Sequence, residues 1–252
     1  MFDACKEIEH IIQQIRWYFE ENGTPETKAV IGISGGKDST IAATLLVRAL
    51  GPKRVIGVLM PNGFQNDIAD SREVCEMLDI PYCEINIGSA MDALTAELPE
   101  ELFELKDDNS VYYTNTPACL RMTALYGVAG LVGGRVINTG NASELAIGYT
   151  TKYGDLAGDF AVLRGYYVRE VYAIGDALEE LPYALVHKAP SDGMCGKTDE
   201  DNLGFSYEVL DNFLIDGIEP SADILENILT RSKRNWHKTC IQLPYIQSCT
   251  RY

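Results

Sequence analysis

The residues most able to do chemistry lie between 30 and 46, in the run VIGISGGKDSTIAATLL. Gly35 and Gly36 lack β-carbons, so their backbone N–H groups can close around an anion. Ser34, Ser39 and Thr40 offer hydroxyls, and Lys37 offers a point charge. Asp38 is out of place beside an anion unless a cation stands between the two, which argues for Mg²⁺ shared by a carboxylate and phosphate oxygens. Neither common glycine-loop pattern fits. For GxxxxGK[ST], Ile31 stands where the first glycine belongs and Asp38 follows Gly36-Lys37; for GxGxxG, the spacing of Gly32 and Gly35 is wrong.

The elements around this loop place it. An apolar run from 28 to 34 reads as a buried strand, and a helix is expected from about 39 to 50, stopped by Gly51-Pro52. Before them, Ile8, Ile11, Ile12, Ile15 and Phe19 mark an amphipathic helix over 3–20. Further strands are expected at 54–60, 82–87 and 135–140, with helices at 67–78, 89–97 and 117–133, a short one at 141–148 capped by Asn141, and others at 168–180, 206–214 and 222–235. Strands alternating with helices imply an α/β fold, a doubly wound, mostly parallel sheet with helices on both faces. Such sheets bind nucleotides at the carboxyl ends of their strands, where this loop lies. Residues 98–114 lack a clear period and read as a surface excursion. The helix at 117–133 is apolar nearly all round, which demands burial on several sides, in the core or at a subunit interface. The stretches 148–165 and 187–204 read as long polar loops, functional or disordered.

Bulk composition narrows the classes. The chain has 252 residues, enough for a full core, and its net charge of −16 argues against nucleic acid and anionic membranes as partners. No stretch approaches the roughly 18 apolar residues of a membrane span. The cysteines, Cys5, Cys75, Cys83, Cys119, Cys195, Cys240 and Cys249, show no metal spacing and read as reduced thiols of a cytoplasmic protein.

Ser34-Gly35-Gly36-Lys37-Asp38-Ser39 resembles the SGGxDS loop of the ATP pyrophosphatase superfamily, which has the adenine nucleotide alpha hydrolase-like fold. Residues 137–160, INTGNASELAIGYTTKYGDLAGDF, resemble one signature of NAD synthetases, and 187–211, HKAPSDGMCGKTDEDNLGFSYEVLD, a second. With the late pair His237-Lys238, the resemblance runs through almost the whole chain. It implies a ligase that joins ammonia to deamido-NAD through a nicotinate adenylate, consuming ATP as co-substrate and releasing AMP and pyrophosphate. It implies ATP contacts at Gly32, Ile33, Ser34, Gly35, Gly36, Lys37, Asp38, Ser39, Thr139 and Ser191, and Mg²⁺ on Asp38 and Glu144. Deamido-NAD would meet Lys152, Asp159, His237 and Lys238, and Cys119 and Arg121 lie at its expected site. Catalytic roles fall to Lys37, Asp38, Lys152 and Asp159, the last orienting ammonia. A homodimer is implied, and the small residues Ala118, Ala124, Gly127, Ala129 and Gly130 would permit close helix approach.

The pattern is broken twice. Cys119 stands where the family has an arginine that contacts deamido-NAD, and Val168, followed by Arg169, stands where many relatives have an ATP-binding lysine. Only about thirty residues precede the first strand, too few for a glutamine amidase domain, so residues 1–252 are expected to form one synthetase domain fed by free ammonia. Two other readings stay open: a sulfur-inserting or other adenylating enzyme using Cys119 or Cys195, and a nucleotide-binding homologue without turnover.

Overall fold

The structure is a computed structural model and describes residues 2–65, 68–106, 108–187 and 198–239. Its first half runs α1 (Ala4–Glu21), β1 (Lys28–Gly32), α2 (Lys37–Leu50), β2 (Val55–Leu59), α3 (Ile68–Met77), β3 (Tyr82–Glu84), α4 (Gly88–Glu97), α5 (Glu100–Phe103) and α6 (Ser110–Val132). The second half runs β4 (Gly134–Asn138), α7 (Ala142–Ile147), β5 (Phe160–Ala161), α8 (Val168–Asp176), α9 (Tyr183–Val186), α10 (Asp199–Leu203), α11 (Tyr207–Asp216) and α12 (Ala222–Thr239). Among the described residues the strands form one parallel sheet in the order β3-β2-β1-β4-β5.

Side-chain alternation along the strands builds two cores. Ala29, Ile31, Val55, Leu59 and Ile137 face one side, against Ile8, Ile11, Ile15 and Phe19 of α1, Leu45 and Leu46 of α2, and Val171 and Ile174 of α8. Val30, Val58 and Val136 face the other, against Met122, Leu125 and Ala129 of α6. Each fully buried aliphatic or aromatic side chain contributes about 1.5–3 kcal/mol relative to exposure. Helices thus cover both faces, and every strand is parallel to its neighbours.

The expected elements are present, with several differences, among them a short β3 that ends at Glu84 and the unexpected helix α9. α6 begins at Ser110, not near 117, and carries Pro117 inside it. Tyr112 packs edge-on against Phe103 and its hydroxyl meets Thr95 at 2.9 Å, so tertiary contacts hold the extra turns that proline would discourage. The 98–114 excursion therefore contains α5 and the start of α6. α6 is buried along one stripe only, at Pro117, Met122, Leu125 and Ala129, while Leu131 is 88% exposed. The expected long loops also contain β5 and α10, both too short to show a period.

Candidate active site at the carboxyl ends of β1 and β4

β1 and β4 are neighbours, and the chain leaves β1 toward β2 on one side and β4 toward β5 on the other. The crevice outside their carboxyl ends is the topological switch point of the sheet. Residues 33–38 enter it from β1, and 139–144 enter it from β4.

The first loop is held by its own side chains. Gly35 has φ +74°, and a β-carbon there would lie 3.0 Å from Asp70 Cβ, so both conformation and space require glycine. Ser34 and Ser39 hydroxyls meet at 3.1 Å, Ser34 Oγ accepts from Gly36 N at 3.2 Å, and Thr40 Oγ1 donates to the Gly36 carbonyl at 2.9 Å. Thr40 is fully buried, so its hydroxyl shapes the loop and does not face the crevice. Ile33 is also buried, with its N–H on the Val58 carbonyl, which leaves only its backbone near a ligand. The amides of the first turn of α2 point outward past Gly36, which caps the helix without a side-chain bond. Gly35→Ala is expected to cost about 1–3 kcal/mol in stability, since it forces a left-handed β-carbon against Asp70; a denaturant midpoint equal to the parent's would contradict that.

Charge is concentrated at the base of the crevice. Lys37 is 5% exposed and donates to Asp38 Oδ2 at 2.7 Å, with its ammonium 5.4 Å over the Tyr172 ring. Burial alone would push the Lys37 ammonium down, but Asp38 and Glu144 together hold it above the ordinary lysine range. Asn141 joins the two loops. Its side chain caps α7 by accepting from Glu144 N at 3.0 Å, its N–H donates to Glu144 Oε2 at 3.0 Å, and its Nδ2 reaches Asp38 Oδ1 at 3.4 Å. Glu144 is pushed above the usual carboxylate range, first by burial and then by Asp38, with Lys37 and the Asn141 amide pulling the other way. Two carboxylates that repel each other across one asparagine are oxygen donors of the kind a hard divalent cation takes. Among the described residues no cluster of three or more His, Cys, Asp or Glu has the arrangement of a metal site.

The remaining expected residues are distributed less simply. Thr139, half-buried, follows β4 directly in the crevice. Ser191 lies outside the described residues, as do Cys195, Cys240 and Cys249. Lys152 donates to the His237 carbonyl at 2.7 Å, and Lys238 donates to the Gly148 carbonyl at 3.1 Å, so the two lysines tie the end of α12 to the 148–152 loop. The His237 ring nitrogen Nδ1 lies 3.0 Å from the Arg234 carbonyl. Asp159 is elsewhere: its Oδ2 accepts from Val136 N at 2.8 Å and its Oδ1 from the Tyr126 hydroxyl at 3.2 Å. Lys152 and Asp159 therefore have different partners. Arg121 turns inward and donates to the Met60 carbonyl at 3.0 Å, where burial pushes its guanidinium down and Asp155 works against that shift. Cys119, on the same helix, has a thiol raised by burial and then by Asp155, the opposite of an activated thiolate. Val168 is buried, and Arg169 pairs with Asp216, so neither brings charge to the crevice.

Two further residues belong here and were not singled out from the sequence. Asp155 accepts from Thr151 N at 2.7 Å and from the Thr150 hydroxyl at 2.6 Å, and its charge reaches Glu144, Arg121 and Lys238. The buried Tyr207 hydroxyl has no hydrogen-bond partner among the described residues and lies within electrostatic reach of Glu144 and Asp38. The GYxTKYGD stretch was a signal for Asp155; Tyr207 had none beyond a place in an apolar helix face.

The model of the NAD synthase family matches residues 7–242. The chain belongs to the NAD synthase family. It is 37% identical over 236 residues to an NH₃-dependent NAD⁺ synthetase of Methanosarcina mazei, covering 87% of this chain and 90% of that one. The corresponding Pyrococcus furiosus protein is 35% identical over 245 residues and 92% of each chain. Among solved structures, an NMN synthetase from Francisella tularensis matches with a TM-score of 0.86 and 33% identity over 97% of this chain and 99% of that one. An NH₃-dependent NAD synthetase from Campylobacter jejuni matches at 0.77 and 29%, over 98% and 100%. A NAD synthase of this family is a ligase that forms a C–N bond, with ATP as co-substrate. Membership supports the synthetase reading and lends none to the sulfur-inserting and turnover-free ones, and none of the described helices is long and apolar enough to cross a membrane.

Proposed function

We propose that this chain amidates a nicotinate nucleotide with free ammonia, at the expense of ATP, through a nicotinate adenylate. The observation that carries the reading is the meeting of Asp38 and Glu144 at Asn141 beside buried Lys37, at the switch point of the sheet. In the first step the nicotinate carboxylate attacks the α-phosphorus and pyrophosphate leaves toward the amides of the 34–39 loop. In the second, ammonia attacks the adenylate carbonyl, AMP leaves, and a proton passes from the nitrogen to a base. Lys37 stabilises charge on the leaving phosphates from a position fixed by Asp38. Mg²⁺ on Asp38 and Glu144 would supply further neutralisation of phosphate charge. The orientation of ammonia stays with Asp159, whose carboxylate is held in place by the Val136 amide and the Tyr126 hydroxyl.

Ammonia as the nitrogen source is supported by the near-complete coverage of the NH₃-dependent relatives. Cys5, Cys75, Cys83 and Cys119 are free thiols, which suits a reducing cytoplasm. A homodimer is supported by the apolar surface of α6, where Val111, Tyr126 and Leu131 are exposed; sedimentation as a monomer at micromolar concentration would overturn it. A second reading of the substrate is favoured by the likeness to an NMN synthetase, together with Cys119 in place of an arginine and Arg121 engaged at Met60. On that reading the acid is nicotinate mononucleotide and not the dinucleotide. One experiment tests both. Purified protein is given Mg-ATP, ammonium and either acid, with each component omitted in turn. Pyrophosphate and amide formed in step establish the ligase, and the faster acid identifies the substrate; neither product with either acid overturns the proposal.

A further inference from the structure

We infer that Arg164 is a binding residue for a phosphate group carried by one of the nucleotide substrates. Its backbone position is fixed from both sides. Val162 N donates to the Asn138 carbonyl at 3.3 Å, Ala142 N donates to the Tyr166 carbonyl at 2.8 Å, and Tyr166 N closes a turn on the Leu163 carbonyl at 2.9 Å. Val162 and Leu163 are buried in the main core, and the Tyr166 hydroxyl donates to Glu7 at 2.8 Å. The turn that carries Arg164 is therefore rigid and lies against the 138–142 connection, the same backbone that presents Asn141 and Glu144. The half-buried Arg164 lines a small cleft with Asn138, Gly140, Asn141, Glu144 and Thr150.

The other cations of this region are already engaged. Lys37 is bonded to Asp38, Arg121 to the Met60 carbonyl, Lys152 to the His237 carbonyl, Lys238 to the Gly148 carbonyl and Arg169 to Asp216. Among the described residues Arg164 makes no hydrogen bond or ion pair, although the chain carries 37 acidic residues against 21 basic ones. An arginine side chain brought into a cleft and left without an acceptor has five N–H donors in a fixed fork, a geometry that matches phosphate oxygens. Glu144, which lines the same cleft, is suited to a cation and Arg164 to the anion bound with it.

The inference rests on the reading that nucleotides occupy this crevice. The test is isothermal titration of the full chain and of Arg164→Gln with Mg-ATP, with magnesium pyrophosphate and with nicotinate mononucleotide, together with melting of both proteins without ligand. Binding of at least one ligand is expected to weaken about tenfold or more, with melting unchanged and partial recovery in Arg164→Lys. Loss confined to Mg-ATP and pyrophosphate places the contact on the ATP phosphates, and loss confined to the mononucleotide places it on the acid substrate. Affinities within about twofold of the parent's for all three ligands would overturn the inference, as would a lowered melting temperature with unchanged affinities, which makes Arg164 a packing residue. A parent chain that binds none of the three overturns the nucleotide reading itself.

Discussion

Glu144→Gln is expected to lower turnover by about a thousandfold while the ligand-free protein becomes no less stable at neutral pH. The loss follows from removing one of two carboxylates suited to Mg²⁺, since metal stabilisation of phosphate charge is worth several kcal/mol at about 1.4 kcal/mol per tenfold. Stability moves the other way because of what surrounds Glu144. Burial and Asp38 raise its folded-state pKa above the unfolded value of 4.5, so protonation favours the native state. That contribution is fully present below the unfolded pKa and is lost as pH rises through the folded one. The parent should therefore lose stability between mildly acid and neutral pH, a slope that Gln, which keeps the capping interaction with Asn141, should largely remove. Added Mg²⁺ with nucleotide should stabilise the parent more at pH 8 than at pH 5. Melting curves across that range decide the matter, and a variant that turns over at the parental rate would exclude Glu144 from the site.

Lys37→Met is expected to cost about 3–5 kcal/mol, because it leaves two partly buried acidic groups without their cation. Methionine fills a similar volume, so the effect reports charge more than packing. Lys37 is 5% exposed and Asp38 only partly exposed, so the pair is unlike a surface ion pair worth at most about 1 kcal/mol. The penalty should shrink in acid, where Glu144, whose pKa is raised by burial and by Asp38, takes up a proton. Urea midpoints at pH 5 and pH 8 measure it directly; equal and small losses at both would show that Lys37 serves bound phosphates alone and has no part in holding the apo crevice together.

Part of this site was legible in the sequence. The loop stood between an apolar run and a helical pattern, and Gly35 proved to need its positive φ. Asn141 followed three residues later by Glu144 is a capping pattern, and it placed the second carboxylate on the first turn of a helix. What could not be read were partners distant in sequence. Nothing local says that Lys152 will reach the His237 carbonyl, that Asp159 will satisfy a strand amide at Val136, or that Arg121 will close on Met60. Periodicity identifies faces, and these contacts depend on how the faces are brought together. β5 escaped notice because two residues show no alternation, and the start of α6 because Pro117 is a normal first residue of a helix. Arg164 escaped because a lone arginine in a polar loop is usually solvated.

Asp38 and Asn141 are 103 residues apart in the chain, and they meet only because β4 pairs with β1. The crevice is therefore an assembled object. A chain that has paired β1, β2 and β3 possesses the glycine loop but not Glu144 or Thr139, and closing so long a loop is among the slower events in folding. Partly folded protein should be blind to Mg-ATP, and nucleotide should slow unfolding far more than it speeds refolding. The ligand would then act as a proofreader of the finished sheet, holding only those molecules in which both halves have arrived.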